Sequence, residues 1–169
     1  MTSIEITVLG VPAPQGSKRG FAIKSKGAYT GKVAQVESSA KVKPWRMAVK
    51  YAALEEIRND YAATDDWHPL TGAVVLDVTF RLPRPKGHYG TGRNASTLKD
   101  SAPWFPAGRP DLDKLLRSTF DALGEAGVWG DDAQVVEMHG VKHYANDYSP
   151  VGATIRVRSM ANTITAAAS

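Results

Sequence analysis

Four aspartates in the second half of the chain have the types and spacing that could support metal-dependent chemistry. Asp111 and Asp113 stand two residues apart, and Asp131 and Asp132 are adjacent later in the chain. The chain has no cysteine, and its four histidines show no zinc-ligand spacing. Because carboxylate oxygens are the preferred ligands of hard cations, the predicted metal is Mg²⁺, with Mn²⁺ as a substitute.

The first pair can share one cation only if the chain is not fully helical at Asp111. Two helical residues two positions apart would point about 160° apart, whereas an extended Asp111 lets positions i and i+2 point the same way. The alternative is that one aspartate caps a helix N-terminus and the other is incidental. Lys114 and Arg117 lie near this helix start, where the dipole disfavours positive charge. A nearby acidic or phosphate partner would offset that cost.

An amphipathic helix is predicted between the two pairs of aspartates, from a spacing of 100° per residue. The apolar arc holds Leu112, Leu115, Leu116, Thr119, Phe120 and Leu123, and the polar arc holds Asp113, Lys114, Arg117, Ser118 and Asp121. The helix is predicted to end near Gly124 or Gly127. The second pair follows a Trp-Gly turn, and it is either a polar turn or a further source of oxygen ligands.

The whole run RPDLDKLLRSTFDALGEAGVWGDDAQVV resembles the signature of the RusA family of Holliday junction resolvases. The likeness extends from Arg109 to Val136 and joins a DLD element, FDAL, an AGxW turn and DDxQV at the family's spacing. It implies an α+β fold in which a small mixed sheet packs against two main helices. It also implies a homodimeric, Mg²⁺-dependent endodeoxyribonuclease without a nucleotide cofactor. Such enzymes nick two symmetry-related strands of a four-way DNA junction.

The resemblance also implies roles for single residues. Asp111, Asp113 and Asp132 match the family's essential acidic positions and would hold the metal, with Asp131 as a neighbouring acid. Arg117 stands where the family has a catalytic lysine, and arginine does not readily give or accept a proton. If that lysine acts only through its charge, Arg117 substitutes for it. If it gives a proton, either Lys114 takes that role or activity is reduced.

Basic residues are concentrated where a polyanion could meet this centre. Residues 1–50 hold nine Lys and Arg against two acids, and residues 81–110 hold six against one. The predicted DNA contacts are Lys18, Arg19, Lys43, Arg46, Lys50, Arg84, Lys86, Arg93 and Lys142. The alternative is an ordinary solvated face. The aromatic side chains of His88, Tyr89 and Trp104 lie among these basic residues. Such a mixture suits contacts with phosphates and the stacking of nucleobases.

The remaining pattern predicts one α+β domain over residues 1–169. The predicted strands are 3–11, 73–82, 134–144 and 153–158, with a helix at 44–63 and a hairpin within 21–37. In the first helix, Met47, Tyr51, Leu54 and Tyr61 fall near helical spacing, with Trp45, Val49 and Ala52 beside them.

Two further segments have no regular pattern. Residues 83–108 form a long basic loop that is either functional or a disordered insertion, and residues 160–169 form a poorly ordered tail. No segment has the length and apolarity of a membrane span, which favours a cytoplasmic protein. A non-catalytic junction-binding protein and a metal-dependent nuclease for flaps or forks remain alternative functions.

Overall fold

The computed structural model describes residues 3–16, 18–25, 27–37, 40–61 and 67–160. In chain order the elements are β1 (Ser3–Leu9), β2 (Lys18–Ser25), β3 (Ala28–Glu37), α1 (Val42–Tyr61), β4 (Val74–Leu82), α2 (Leu112–Glu125), β5 (Val135–Tyr144) and β6 (Gly152–Ser159). Apart from Met160, the predicted tail lies outside the described residues. No helix in these described ranges is long and apolar enough to cross a bilayer.

The main sheet has four strands in the order β1, β6, β4, β5. Strand β6 pairs antiparallel with both β1 and β4, whereas β4 and β5 are parallel. Parallel neighbours need a crossover connection, and helix α2 lies within the one that joins β4 to β5. Strands β2 and β3 form a separate antiparallel hairpin, which agrees with the predicted hairpin. The prediction of a small mixed sheet with two main helices is confirmed.

The core lies between one face of this sheet and the two helices. Alternate residues of β1 are buried, as the period of two in a strand requires, whereas the central strand β4 is buried along nearly its whole length. The buried stripe of α1 consists of Val42, Trp45, Val49, Ala53 and Ile57. The predicted stripe of Met47, Tyr51 and Leu54 is exposed instead. The indole Nε1 of Trp45 donates to Thr119 Oγ1 of α2 at 3.1 Å, which fixes how the two helices pack.

The long loop between β4 and α2 is folded on itself, so its interpretation as a disordered insertion is wrong. It contains two short 3-10 turns, Lys86–His88 and Gly92–Asn94, and an antiparallel bridge between Tyr89 and Leu98. Backbone N–H groups of residues 90 and 99 donate to carbonyls across this bridge at 2.9 Å. Because these hydrogen bonds hold the long loop in one conformation, its side chains lie at defined positions.

Candidate active site

Asp111 sits at the junction between extended chain and helix α2. Its φ of −69° and ψ of 137° are extended, and its carbonyl accepts the first helical hydrogen bond from Leu115 N at 3.1 Å. Asp113 follows in the first helical turn. The Asp111 side chain makes no capping hydrogen bond, so the prediction of an extended Asp111 is confirmed and the capping alternative is not. Both carboxylates are exposed.

Lys114 forms an ion pair with Asp111 and stabilises its ionised form. Its Nζ donates to Asp111 Oδ2 at 2.7 Å. This hydrogen bond, and then the charge of the ammonium group, hold the pKa of Asp111 below its usual value. The same contact raises the pKa of Lys114. Asp111 is therefore ionised and Lys114 protonated at neutral pH, and the carboxylate offsets the cost of a cation at a helix start.

Lys142 holds the chain that leads into Asp111. Its Nζ donates to the carbonyl oxygens of Gly108 and Pro110, each at 2.9 Å. Parallel pairing aligns Lys142 of β5 with Phe80 near the end of β4, and so brings it next to the start of α2. Lys142 was predicted to contact DNA. In the structure its ammonium group already has these two backbone partners beside Asp111, and contact with DNA stays a prediction.

Arg117 lies on the exposed face of α2, one helical turn after Asp113. Among the described residues no acid forms an ion pair with it. Its guanidinium is therefore available beside the carboxylates. Ser118, which was predicted on the same polar arc, is buried and donates its hydroxyl to Ala13 O at 2.7 Å and to Leu115 O at 3.0 Å.

A glycine-terminated helix end directs the chain from α2 to the second pair of aspartates. Gly127 has a φ of +74°, a left-handed backbone conformation that residues with a side chain rarely adopt. Val128 N donates to Leu123 O at 3.2 Å and Gly127 N to Gly124 O at 3.0 Å, which is the Schellman arrangement. Val128 and Leu123 are both fully buried. The following residues are thereby fixed against the C-terminal end of the helix.

Asp131 and Asp132 have different local partners. Asp131 Oδ1 accepts from Ala133 N at 2.7 Å, and Gln134 Oε1 accepts from Asp131 N at 2.8 Å, which forms a capping box. Asp132 Oδ1 instead accepts from the indole Nε1 of Trp129 at 2.9 Å. Asp131 therefore stabilises the turn, and Asp132 is held by one aromatic donor and remains exposed.

The two pairs of aspartates lie at opposite ends of α2. Asp113 is in the first turn, whereas a Cβ added at Gly124 in the last turn would lie 3.1 Å from Asp132 Oδ1. Asp113 and Gly124 are eleven positions apart, which at about 1.5 Å per residue is a rise of about 16 Å. No group of three or more acids or histidines that could hold a metal occurs in the described part of the chain. Within one chain, Asp132 therefore does not join Asp111 and Asp113.

The predicted DNA contacts differ in exposure and in whether their side chains have partners within the chain. Lys43, Lys86 and Arg93 are exposed and Lys50 is half-buried, whereas the side chains of Lys18 and Arg19, at the start of β2, lie outside the described residues. Arg46 pairs with Glu125 and, at 3.5 Å, with Asp121. The Arg84 guanidinium carbon lies 4.1 Å from the centre of the Tyr144 ring, and its Nη1 donates to Pro103 O at 2.9 Å. Arg46 and Arg84 therefore already have partners within the chain.

Comparison with known proteins identifies the family. The sequence profile of the family described as Endodeoxyribonuclease RusA matches residues 13–158. The chain belongs to the RusA family. A protein of Bacillus subtilis strain 168 described as uncharacterized protein YqaN is 28% identical over 147 residues, 87% of this chain and 92% of its own length.

Two named resolvases match a shorter stretch. The crossover junction endodeoxyribonucleases rusA of Enterobacteria phage 82 and RusA of Escherichia coli K12 are each 59% identical over 34 residues. Those matches cover 20% of this chain and 28% of each relative. High identity is thus confined to a short segment, whereas the family profile covers most of the chain.

Two site residues, Trp129 and Gln134, were missed by the sequence reasoning. Trp129 is only 3% exposed, and its indole orients Asp132. Gln134 Nε2 donates to Leu70 O at 2.9 Å and connects the turn to the chain before β4. The available signal was the indole N–H itself, because a buried indole needs an acceptor and Asp132 stands three residues later.

Proposed function

We propose that the chain is a Mg²⁺-dependent endodeoxyribonuclease that nicks four-way DNA junctions. The observation that carries this proposal is the pair Asp111 and Asp113, presented together in an extended-to-helix junction with Lys114 and Arg117 beside it. Membership of the RusA family and the similarity to two crossover junction endodeoxyribonucleases support the same reaction. A role on DNA also favours the cytoplasm as its place of action.

The donor chemistry of this pair fits part of a magnesium site. Asp111 and Asp113 offer exposed carboxylate oxygens, and the lowered pKa of Asp111 keeps that group ionised. A bound Mg²⁺ would polarise the scissile phosphate and make a water a better nucleophile. Because Asp132 lies at the far end of α2, one chain does not supply the predicted set of three aspartates.

We propose that Asp132, with Asp131 beside it, completes this site in a second copy of the chain. Around Asp132 the structure gathers Asp121, Glu125 and Asp131 at the negative end of the α2 dipole. Arg46 lines the same cavity and pairs with Asp121 and Glu125, whereas Asp131 and Asp132 have no cationic partner among the described residues, so these two aspartates favour a cation brought from outside. Two copies related by a two-fold axis would form two equivalent sites, which matches the two strands that a junction resolvase cuts.

The remaining polar groups have roles that follow from their positions. The N-terminus of α2 carries free backbone N–H groups and the positive end of the helix dipole, both of which favour a phosphate. Lys114 and Arg117 add positive charge on the same turn and would stabilise the negative charge that develops on phosphorus oxygens. Lys114 can also give a proton, whereas Arg117 acts through charge alone.

The test is a nicking assay on a synthetic four-way junction, with flap, fork and linear duplex substrates alongside. Asp113→Asn and Asp132→Asn should each retain junction binding and lose cleavage. Asp77→Asn is the matched control, because Asp77 lies on β4 and pairs with Arg158 of β6, away from both ends of α2. Full cleavage by either site variant would refute the site, and equal cutting of flaps and forks would refute the junction preference.

Mixing the two inactive variants tests the shared site directly. In a mixed dimer, one composite site carries both substitutions and the other carries neither. The mixture should therefore recover single-strand nicking, while each variant alone stays inactive. If the three aspartates acted within one chain, every copy would be defective and the mixture would remain inactive.

A further inference from the structure

A cleft of about 600 Å³ opens between the long loop, the ends of β4 and β5, and the turn that follows β5. Its lining includes Arg81, Arg84, Tyr89, Trp104, His143 and Tyr144. The volume falls in the range of pockets that bind one small organic group. None of these residues belongs to the predicted metal site.

The walls of the cleft are fixed by contacts within the chain. The Arg84 guanidinium stacks on Tyr144 and donates to Pro103 O, and His88 packs edge-on against the same ring with centroids 5.4 Å apart. Lys99 Nζ donates to Gly87 O at 2.8 Å and closes the base of the loop. The walls are therefore held in place by contacts within the chain, and such pre-organisation lowers the entropic cost of binding.

Trp104 is displayed rather than packed. Its side chain is 86% exposed, although the neighbouring Pro103 and Phe105 are held by contacts with Arg84 and His143. A large flat apolar ring held at a defined position by anchored neighbours is suited to stack against another flat group. Because nucleobases have such faces whatever their sequence, stacking on Trp104 would not depend on base identity.

Arg81 adds a second and independent observation. It is only 9% exposed, and it donates to Pro150 O at 2.8 Å and to Thr154 Oγ1 at 2.7 Å. No acid among the described residues forms an ion pair with it. The lining holds Arg81 and Arg84 against one acid, Asp147, so an anionic ligand in the cleft would be stabilised by the two arginines.

We propose that this cleft receives one unstacked nucleobase of a DNA branch point together with its flanking phosphate, the base stacking on Trp104. This inference rests on the proposed function for its ligand, because branched DNA offers bases that have lost a stacking neighbour. Lys142 links the cleft to the carboxylates, since it lies two residues before Tyr144 and holds Gly108 and Pro110. The captured nucleotide would thus lie on the same side of the molecule as Asp111.

Binding measured by fluorescence anisotropy, with Ca²⁺ in place of Mg²⁺, tests the proposal. The probes are a labelled four-way junction, a linear duplex and a single-stranded dT oligonucleotide. Trp104→Ala should weaken binding to the junction and to the dT oligonucleotide by about tenfold and leave duplex binding unchanged. Trp104→Phe should restore most of the affinity. Tyr148→Ala is the matched control, because Tyr148 is 97% exposed yet does not line the cleft.

Each other outcome decides against the cleft or against the proposed function. Unchanged binding of the dT oligonucleotide by Trp104→Ala, or an equal loss on duplex, would overturn the cleft as a base site. A shift of Trp104→Ala to monomer in sedimentation would show that a second copy occupies the cleft. If the unaltered chain neither binds nor cuts junctions, the proposed function fails, and the dT oligonucleotide alone then decides whether Trp104 stacks a base.

Discussion

Replacing Lys142 by methionine tests whether this residue positions Asp111 or contacts DNA. The change keeps the length of the side chain and removes both hydrogen bonds to the carbonyls of Gly108 and Pro110. Hydrogen bonds from a charged donor contribute about 1.5–3 kcal/mol each when buried. Because Lys142 is half-buried, we expect a loss of about 2 kcal/mol in the free energy of unfolding and a decrease of about 4–8 °C in Tm.

The effect on cleavage should exceed the effect on stability. Without its two anchors, the backbone before Asp111 can shift, and a displacement of about 1 Å at a reacting group costs about 100-fold in rate. We therefore expect kcat for junction nicking to fall by about two orders of magnitude at a temperature where the variant is fully folded. Thermal unfolding and single-turnover cleavage of the same preparation measure both quantities.

Lys99→Met is the matched control, because Lys99 also donates to a backbone carbonyl of the long loop, but at Gly87 rather than at the residues that precede Asp111. Its kcat should stay within about twofold of the unaltered chain. A Lys142→Met variant with normal kcat, weaker junction binding and a salt dependence reduced by about one ion would refute the positioning role. That result would restore the prediction of a phosphate contact.

Three further predictions concern single contacts. Lys114→Met should raise the pKa of Asp111 toward its usual value, and a ¹³C NMR titration measures this change. Because the pKa of Asp111 is depressed in the folded chain, the ion pair stabilises the fold above about pH 3.8. This stabilisation is lost as the pH falls through the folded-state pKa. An Asp111 pKa unaffected by the substitution would contradict this. Trp129→Phe should preserve the fold but lower the nicking rate by about tenfold or more, because Asp132 loses the donor that orients it; a normal rate would show that the indole is dispensable. Gly152→Ala should lower the free energy of unfolding in urea by at least about 2 kcal/mol, since the added Cβ would lie 1.9 Å from a carbonyl oxygen of β1, and an unchanged denaturation midpoint would argue against this close approach.

Most elements of the fold could be predicted because their patterns are local. The alternation in β1 buries one face, the β-branched run of β4 is buried along nearly its whole length, and the helical spacing of α2 matches most of its buried positions. Helix α1 shows the limit of this reasoning. It carries two apolar stripes, and spacing alone does not decide whether Trp45 or Tyr51 faces the sheet. Ser118 was misplaced for a similar reason, because its buried acceptor on Ala13 is far away in sequence.

The candidate site was predicted in its parts but not in its assembly. The extended conformation of Asp111 followed from Pro110 and the spacing of two, both of which are local. The separation of Asp113 and Asp132 depends on the length of helix α2. Matching the positions of a motif does not give this distance. The anchoring role of Lys142 depends on a parallel pairing between distant segments, so its charge alone indicated DNA.

The length of helix α2 also determines how activity would depend on the amount of protein. With the proposed composite site, a lone chain carries the two halves of the catalytic set about 16 Å apart and is inert. Well below the dissociation constant of the dimer, the number of complete sites rises with the square of the chain concentration. Dilution would therefore suppress nicking more steeply than it removes the protein, and scarce copies would leave branched DNA uncut.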